Sequence, residues 1–139
     1  MKKKSPLKSR SLKEARIKRE YQRVCNEMDQ VEIDDRGYLI CKSCGMTVQG
    51  KFWGHSHNLP KSQYKYLETD PENISIRCQD FGLHKGCHEA LDGCDFQRIK
   101  NFKDLPQIMQ YRKKHDKTAY NKFVTGLREV HCFDYDYIT

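Results

Sequence analysis

The sequence has no apolar run long enough to cross a membrane. No apolar stretch follows the charges of Met1-Lys-Lys-Lys-Ser-Pro, so no secretory leader is expected and the expected location is the cytoplasm. Internal repeats are absent, as are low-complexity tracts beyond a basic start. Core-forming material is scarce. Of 139 residues, 37% are hydrophobic and 32% charged, which leaves a thin core for a single domain. A chain this polar commonly needs a metal, disulfides or a partner to hold it. Outside the first twenty residues the net charge is zero, with seventeen basic and seventeen acidic side chains. Residues 1–20 carry nine Lys/Arg against two Glu, so the whole excess of +7 sits there. A basic patch on a neutral body fits phosphate binding or a solvated tail, and a metal site nearby favours nucleic acid.

What the chain does have is cysteine and histidine. Seven cysteines is an odd number, and in a cytosolic chain Cys-x-x-Cys points to metal rather than disulfide. The redox reading needs a thioredoxin-like βαβ context, which the pattern does not supply. Cys41-Lys-Ser-Cys44-Gly45 has the form of a zinc knuckle, in which two thiolates converge on one ion and glycine permits the tight turn. Cys78 and Cys87 make a second pair, separated by eight residues, that would complete a tetrahedral structural zinc site. Cys94 competes for the fourth position. Zinc–thiolate binding supplies roughly 10 kcal/mol or more of folding free energy, which a thin core requires.

Read in order, residues 1–10 form a disordered basic tail and residues 11–30 a basic amphipathic helix. Ser11-Leu-Lys-Glu14 is a capping box, and Ile17, Tyr21, Val24, Cys25 and Met28 recur at helical spacing. Asp34-Asp-Arg-Gly37 is a turn, Tyr38-Leu-Ile40 a short strand, and a second turn falls near Gln49-Gly50. Lys51 to His57 reads as extended, which puts His55 and His57 on one face, and Pro60 ends it. Lys61 to Tyr66 fits a short helix or a loop. Asn73 to Cys78 alternates as a strand with Ile74 and Ile76 inward, and a helix begins near Cys87 and closes at Asp92-Gly93. Residues 31–102 thus make the zinc-stapled core. Residues 103–139 make a helical extension, with Asp104 and Thr118 as candidate N-caps and an aromatic and acidic tail from Phe133. The expected class is α+β.

His57-Asn-Leu-Pro60, then Asn73, then Cys87-His88 resembles the HNH endonuclease motif. The order His-x-x-Pro, Asn-strand, Cys-His-helix is similar to the ββα-metal fold, and the cysteine pairs resemble its zinc-stapled branch. The leading basic helix resembles small phage-encoded HNH proteins. The resemblance covers about residues 38–92, and more loosely 11–92. It implies a metal-dependent endonuclease that hydrolyses DNA phosphodiester bonds, and it leaves RNA open. Further implied partners are phage recombination or packaging proteins in a host cytoplasm; no membrane partner is expected. The resemblance carries no oligomeric state.

The chemistry suits these residue types. A neutral imidazole near pH 7 takes a proton from water, and one divalent ion polarises the phosphate and stabilises the leaving oxygen. By carry-over, His57 is the general base, Asn73 orients it through its amide or by fixing the hairpin, and His88 binds the catalytic ion. That ion is Mg²⁺ or Mn²⁺, with Zn²⁺ or Ni²⁺ as alternatives. The family's usual metal-binding residue before the base is Ser56 here. Its substitute is His55, on the same face as His57, or His84, four residues before His88. Loss of that ligand gives the alternative reading, an inactive zinc-containing nucleic-acid-binding module. Lys13, Arg16 and Arg19 on the helix, and Lys61, Arg77 and Lys85 near the site, are the expected phosphate contacts.

Overall fold

The computed structural model describes residues 5–48 and 53–130, with side chains from Leu12 onward. Among them are five α-helices and two small antiparallel sheets. None of the helices is long and apolar enough to cross a membrane.

Helix α1 runs Ser5–Arg36, farther in both directions than the capping box suggests. Its sequence holds Pro6 in the first turn, where proline is tolerated, and no glycine until Gly37. Gly37 ends it at φ +87°, with its amide on the Ile33 carbonyl at 2.8 Å. The second half of α1 docks on the body: Val24 and Cys25 bury against Ile74, flanked by Tyr21 and Met28. Glu32 adds an ion pair to Lys42 at 2.9 Å. Between Leu12 and Glu20 the side chains are exposed, Ala15 excepted.

Strands β1 (Leu39–Ile40) and β2 (Thr47–Val48) form a small sheet around the cysteine knuckle. β3 (Trp53–His57) pairs with β4 (Ile74–Cys78) in the register His55↔Ile76. Single 3₁₀ turns at Lys65–Leu67 and Pro71–Asn73 shape the long loop between them. α2 (Cys87–Asp92) follows, then α3 (Phe96–Ile99), α4 (Leu105–His115) and α5 (Lys117–Glu129).

The C-terminal helices share a core with the hairpin. Ile108, Met109, Phe123 and Leu127 bury in the same cluster as Ile76, Leu91, Ile99 and the cysteines 41, 78 and 87. Cap assignments differ from the sequence reading for a physical reason. Asp116, not Thr118, caps α5, with its carboxylate accepting from the Ala119 amide at 3.1 Å. Asp104 sits at the N-cap position of α4 but does not cap it, because its carboxylate is drawn to Arg77 and Ser43. The Gln49-Gly50 turn, His131 and the aromatic tail from Phe133 lie outside the described residues.

Candidate functional site

Four sulfurs converge. The Sγ atoms of Cys41, Cys44, Cys78 and Cys87 all lie within 4.8 Å of one another, and Cys44 and Cys78 are 3.9 Å apart. A tetrahedral zinc with bonds of about 2.3 Å sets its sulfurs about 3.8 Å apart, so this donor set fits the ion in chemistry and in spacing. Cys94 is not among the four; it lies elsewhere, exposed, at φ +56°. Two backbone amides aim at the sulfurs: Cys44 N–H toward Cys41 Sγ at 3.5 Å and Cys87 N–H toward Cys78 Sγ at 3.3 Å. Among the protein groups alone, the hydrogen bond from Cys87 draws the Cys41 thiol down to about 4, while that shared contact pushes Cys87 far up. Burial pushes Cys78 up to about 11. Four close sulfurs cannot all ionise without a cation among them.

Two glycines make the convergence geometrically possible. Gly45 turns the knuckle at φ +83°. Gly86 is pressed on the Gln79 backbone so closely that an added Cβ would stand 2.4 Å from it. That contact lets the segment between Cys78 and Cys87 fold back on itself. Asp80 Oδ1 accepts from the Gly86 amide at 2.6 Å, and Arg98 donates to the carbonyls of Lys85 and Gly86.

The β3–β4 register divides the hairpin into two faces, because side chains alternate along a strand and cross-strand partners share a side. Trp53, His55, His57, Ile74, Ile76 and Cys78 lie on one face; Ser56, Ser75 and Arg77 lie on the other. His55 and His57 therefore share a face as expected, yet their fates differ. His55 Nε2 is 2.8 Å from Asp29 Oδ1 of α1. Burial opposes its charge, but hydrogen bonds to Cys25 and Asp29 prevail and raise its pKa to about 9. The Asp29 contact docks α1 on the hairpin and occupies Nε2, one of the two nitrogens with which His55 was expected to bind the catalytic ion.

His57 is 9% exposed, stacks on Tyr21 of α1 with ring centroids 5.6 Å apart, and places Nε2 3.0 Å from the Glu68 carbonyl. A carbonyl only accepts, so Nε2 carries the hydrogen and Nδ1 is the basic atom. Burial holds its pKa below the ordinary histidine value. A neutral ring with a fixed tautomer is what a general base at neutral pH needs.

The Asn73 side chain makes no hydrogen bond to His57 among the described residues. It is fully buried and fastens the loop that follows the histidine: Oδ1 accepts from Leu59 N–H at 2.7 Å, and Nδ2 donates to the carbonyls of Leu59 and Leu67. Of the two roles the sequence left open, only fixing the hairpin has contacts behind it.

His88 lies in the first turn of α2. Its Nε2 is 3.2 Å from Asp92 one turn on, while Nδ1 is enclosed and meets no protein hydrogen-bonding group. An enclosed imidazole nitrogen without a partner is costly unless a cation or water takes it, so it is a plausible metal donor. Asp92, four residues on along the same helix, meets the ring from its Nε2 side, an i,i+4 pairing that is visible in the sequence. His84 falls in the Phe81–His84 bridge before the helix and is not among the residues lining the cleft. Its Nε2 is also enclosed without a partner. No further group of three His, Cys or carboxylate ligands converges among the described residues, so a catalytic ion here would complete its shell with substrate and water.

His55, His57, His88 and Asp92 line one cleft of about 810 Å³. Lys61 is exposed at this cleft, its Nζ 5.4 Å from the centre of the Tyr21 ring. Lys13, Arg16 and Arg19 are exposed on the free part of α1, and Lys85 is exposed beside α2. Arg77 requires correction as a phosphate contact. It is 0% exposed and faces away from the histidines. Its guanidinium bonds Ser43, Ser56, Asn58 and Asp104, the last at 2.7 Å. Ser56 is accordingly a buried acceptor for Arg77 and holds no position in the cleft.

Sequence reasoning passed over Arg112. From α4 it reaches the same cleft, with Nε on the Asn58 carbonyl at 3.0 Å and its guanidinium carbon 4.4 Å from the Phe123 ring centre. Burial lowers its pKa from the ordinary value, yet a guanidinium stays charged at neutral pH. Its spacing in α4 reads as one more helical residue, so no local signal marked it. No protein-family model, curated protein or solved structure matches this chain.

Proposed function

We propose that the chain is a zinc-stapled, metal-dependent endonuclease of the HNH type, acting on DNA phosphodiester bonds, in the manner of small phage proteins of that kind. The observation that carries this reading is the joint presence, in one cleft, of a buried neutral His57 and of His88 with an unpartnered nitrogen. The hairpin-then-helix order around it, with the cysteine cluster adjacent, is the arrangement the motif resemblance implies.

In this reading His57 Nδ1 accepts the proton of the attacking water, and the Glu68 carbonyl stabilises the opposite edge of the ring as it becomes cationic. Asn73 holds the loop that sets that carbonyl near the ring. His88 would hold the divalent ion through Nδ1, with Asp92 orienting the ring from the Nε2 side, and the ion when bound would supply charge stabilisation for the leaving oxygen. The exposed bases of α1 grip the backbone without reading sequence. Ser56 favours a second reading, a nucleic-acid-binding module without cleavage, since it leaves the ion with a sparse protein shell.

The test is cleavage of supercoiled plasmid with Mg²⁺ or Mn²⁺ by wild type and His57→Ala, with zinc content measured on both. We expect the substitution to lower cleavage by about 10²-fold or more with zinc unchanged. A zinc-loaded wild type that binds DNA in a salt-sensitive manner and cuts with no divalent ion would leave the binding module.

A further inference from the structure

We infer that Arg112 forms a built oxyanion subsite in the cleft, which takes one phosphate of a phosphodiester. The ligand's identity rests on the nuclease reading; the site itself rests on geometry alone.

Four observations converge. Among the described residues Arg112 makes no ion pair, and no acceptor meets its Nη1 or Nη2. These two atoms are not enclosed, so the open end of the guanidinium is available to a ligand. The rest of the side chain is fixed: Nε is spent on the Asn58 carbonyl, and the Phe123 ring supports the planar group. Lys61 brings a second cation to the same cleft. Asp92 is the carboxylate lining it, and Asp92 is turned to His88.

The contrast with Arg77 makes the point. Arg77 bonds the Asn58 side chain while Arg112 bonds the Asn58 backbone, so the two guanidiniums flank one residue. Arg77 is fully partnered, with Asp104 balancing its charge. Among the described residues Arg112 has no such paired carboxylate, and Asp92 acts on it only at longer range. A partly buried cation lacking a counterion is costly in a folded protein, and an incoming anion repays that cost. Two parallel N–H donors match two phosphate oxygens, a fit that a lysine cannot reproduce. α4 lies outside the stretch that carries the motif resemblance. The subsite is therefore a contribution of the C-terminal helices to the cleft.

The test needs no turnover. Phenylglyoxal labels accessible guanidiniums, and labelled positions are mapped by mass spectrometry on the zinc-loaded wild type. Three additives are compared: inorganic phosphate, the phosphodiester dinucleotide dTpdT, and uncharged thymidine. We expect Arg112 to label readily, and dTpdT to shield it at least ~3-fold while thymidine does not. Shielding by phosphate but not by dTpdT would mark a free-phosphate site and overturn the diester assignment. Equal labelling with every additive would overturn the subsite. Titration calorimetry with dTpdT adds a second reading on folded variants: Arg112→Gln is expected to weaken binding about tenfold or more, and Arg112→Lys less. Unchanged binding in Arg112→Gln would also overturn it. Shielding without any plasmid cleavage keeps the subsite and removes the nuclease; cleavage without shielding does the reverse.

Discussion

Arginine 77 shows at the scale of one residue how burial changes the meaning of a charge. In the sequence it stands in Ile-Ser-Ile-Arg-Cys, a position that alternation assigns to the outer side of a strand. That side is instead covered by the knuckle and by the start of α4, and the guanidinium ties Ser43, Ser56, Asn58 and Asp104 together. Replacing Arg77 by Met leaves the Asp104 carboxylate, 12% exposed, without its partner. The expected loss is about 3–5 kcal/mol of stability, read from the urea midpoint of the zinc-loaded protein. A folded Arg77→Met protein of unchanged stability with weakened DNA binding would return Arg77 to the surface role. His57 was picked out by His-x-x-Pro, whereas the place of Arg112 at the cleft was not legible, because nothing in a helical repeat announces which cation will reach it.

At the scale of the element, α1 is a helix with two functions along its length. Residues Leu12 to Glu20 reach out with their charges exposed, and the part from Tyr21 onward closes over the hairpin. Its contact with the hairpin is sensitive to pH through His55. Because, against burial, Cys25 and Asp29 together raise the folded pKa from 6.5 to about 9, the stabilisation they give protonated His55 is full below pH 6.5. It fades as pH rises and is gone above about 9. The shift corresponds to at most roughly 3 kcal/mol. Thermal melts between pH 6 and 9.5 should show wild type losing stability across that window, and Asp29→Asn should be less stable at pH 6 with a flatter profile. Identical profiles would exclude the ion pair as a docking contact. The amphipathic stripe of α1 was visible in the sequence; its partner Ile74 on β4 and its part-buried ion pair to His55 on β3 were not, since both depend on strands far along the chain.

At the scale of the whole molecule, the thin core and the four-cysteine cluster are one structure, and in the zinc-stapled reading they depend on each other. Cys41, Cys78 and Cys87 are themselves core residues, and they pack in one cluster with side chains from α2 to α5. Removing the metal therefore loosens the C-terminal helices along with the knuckle. Chelation at neutral pH is expected to abolish cooperative unfolding of the entire chain, with a structural zinc contribution of about 10 kcal/mol. Hydrogen exchange should show protection lost in α4 and α5 together with the hairpin. Retained protection in α4 and α5 would mean that they fold without the zinc.

The sequence by itself determined the parts that rest on local chemistry. Cys-x-x-Cys-Gly dictates a knuckle, alternation dictates a strand at Ile74–Cys78, and Cys87 opens a short helix that Gly93 closes. These follow from backbone geometry over a few residues. Only the tertiary structure, through the packing of distant elements, decided which charges are paired among the described residues. It paired His55 with Asp29, enclosed Arg77 with Asp104, and left Arg112 open at the cleft. The physical reason is that pairing and burial depend on distances between elements far apart in the chain, and no local pattern encodes those distances.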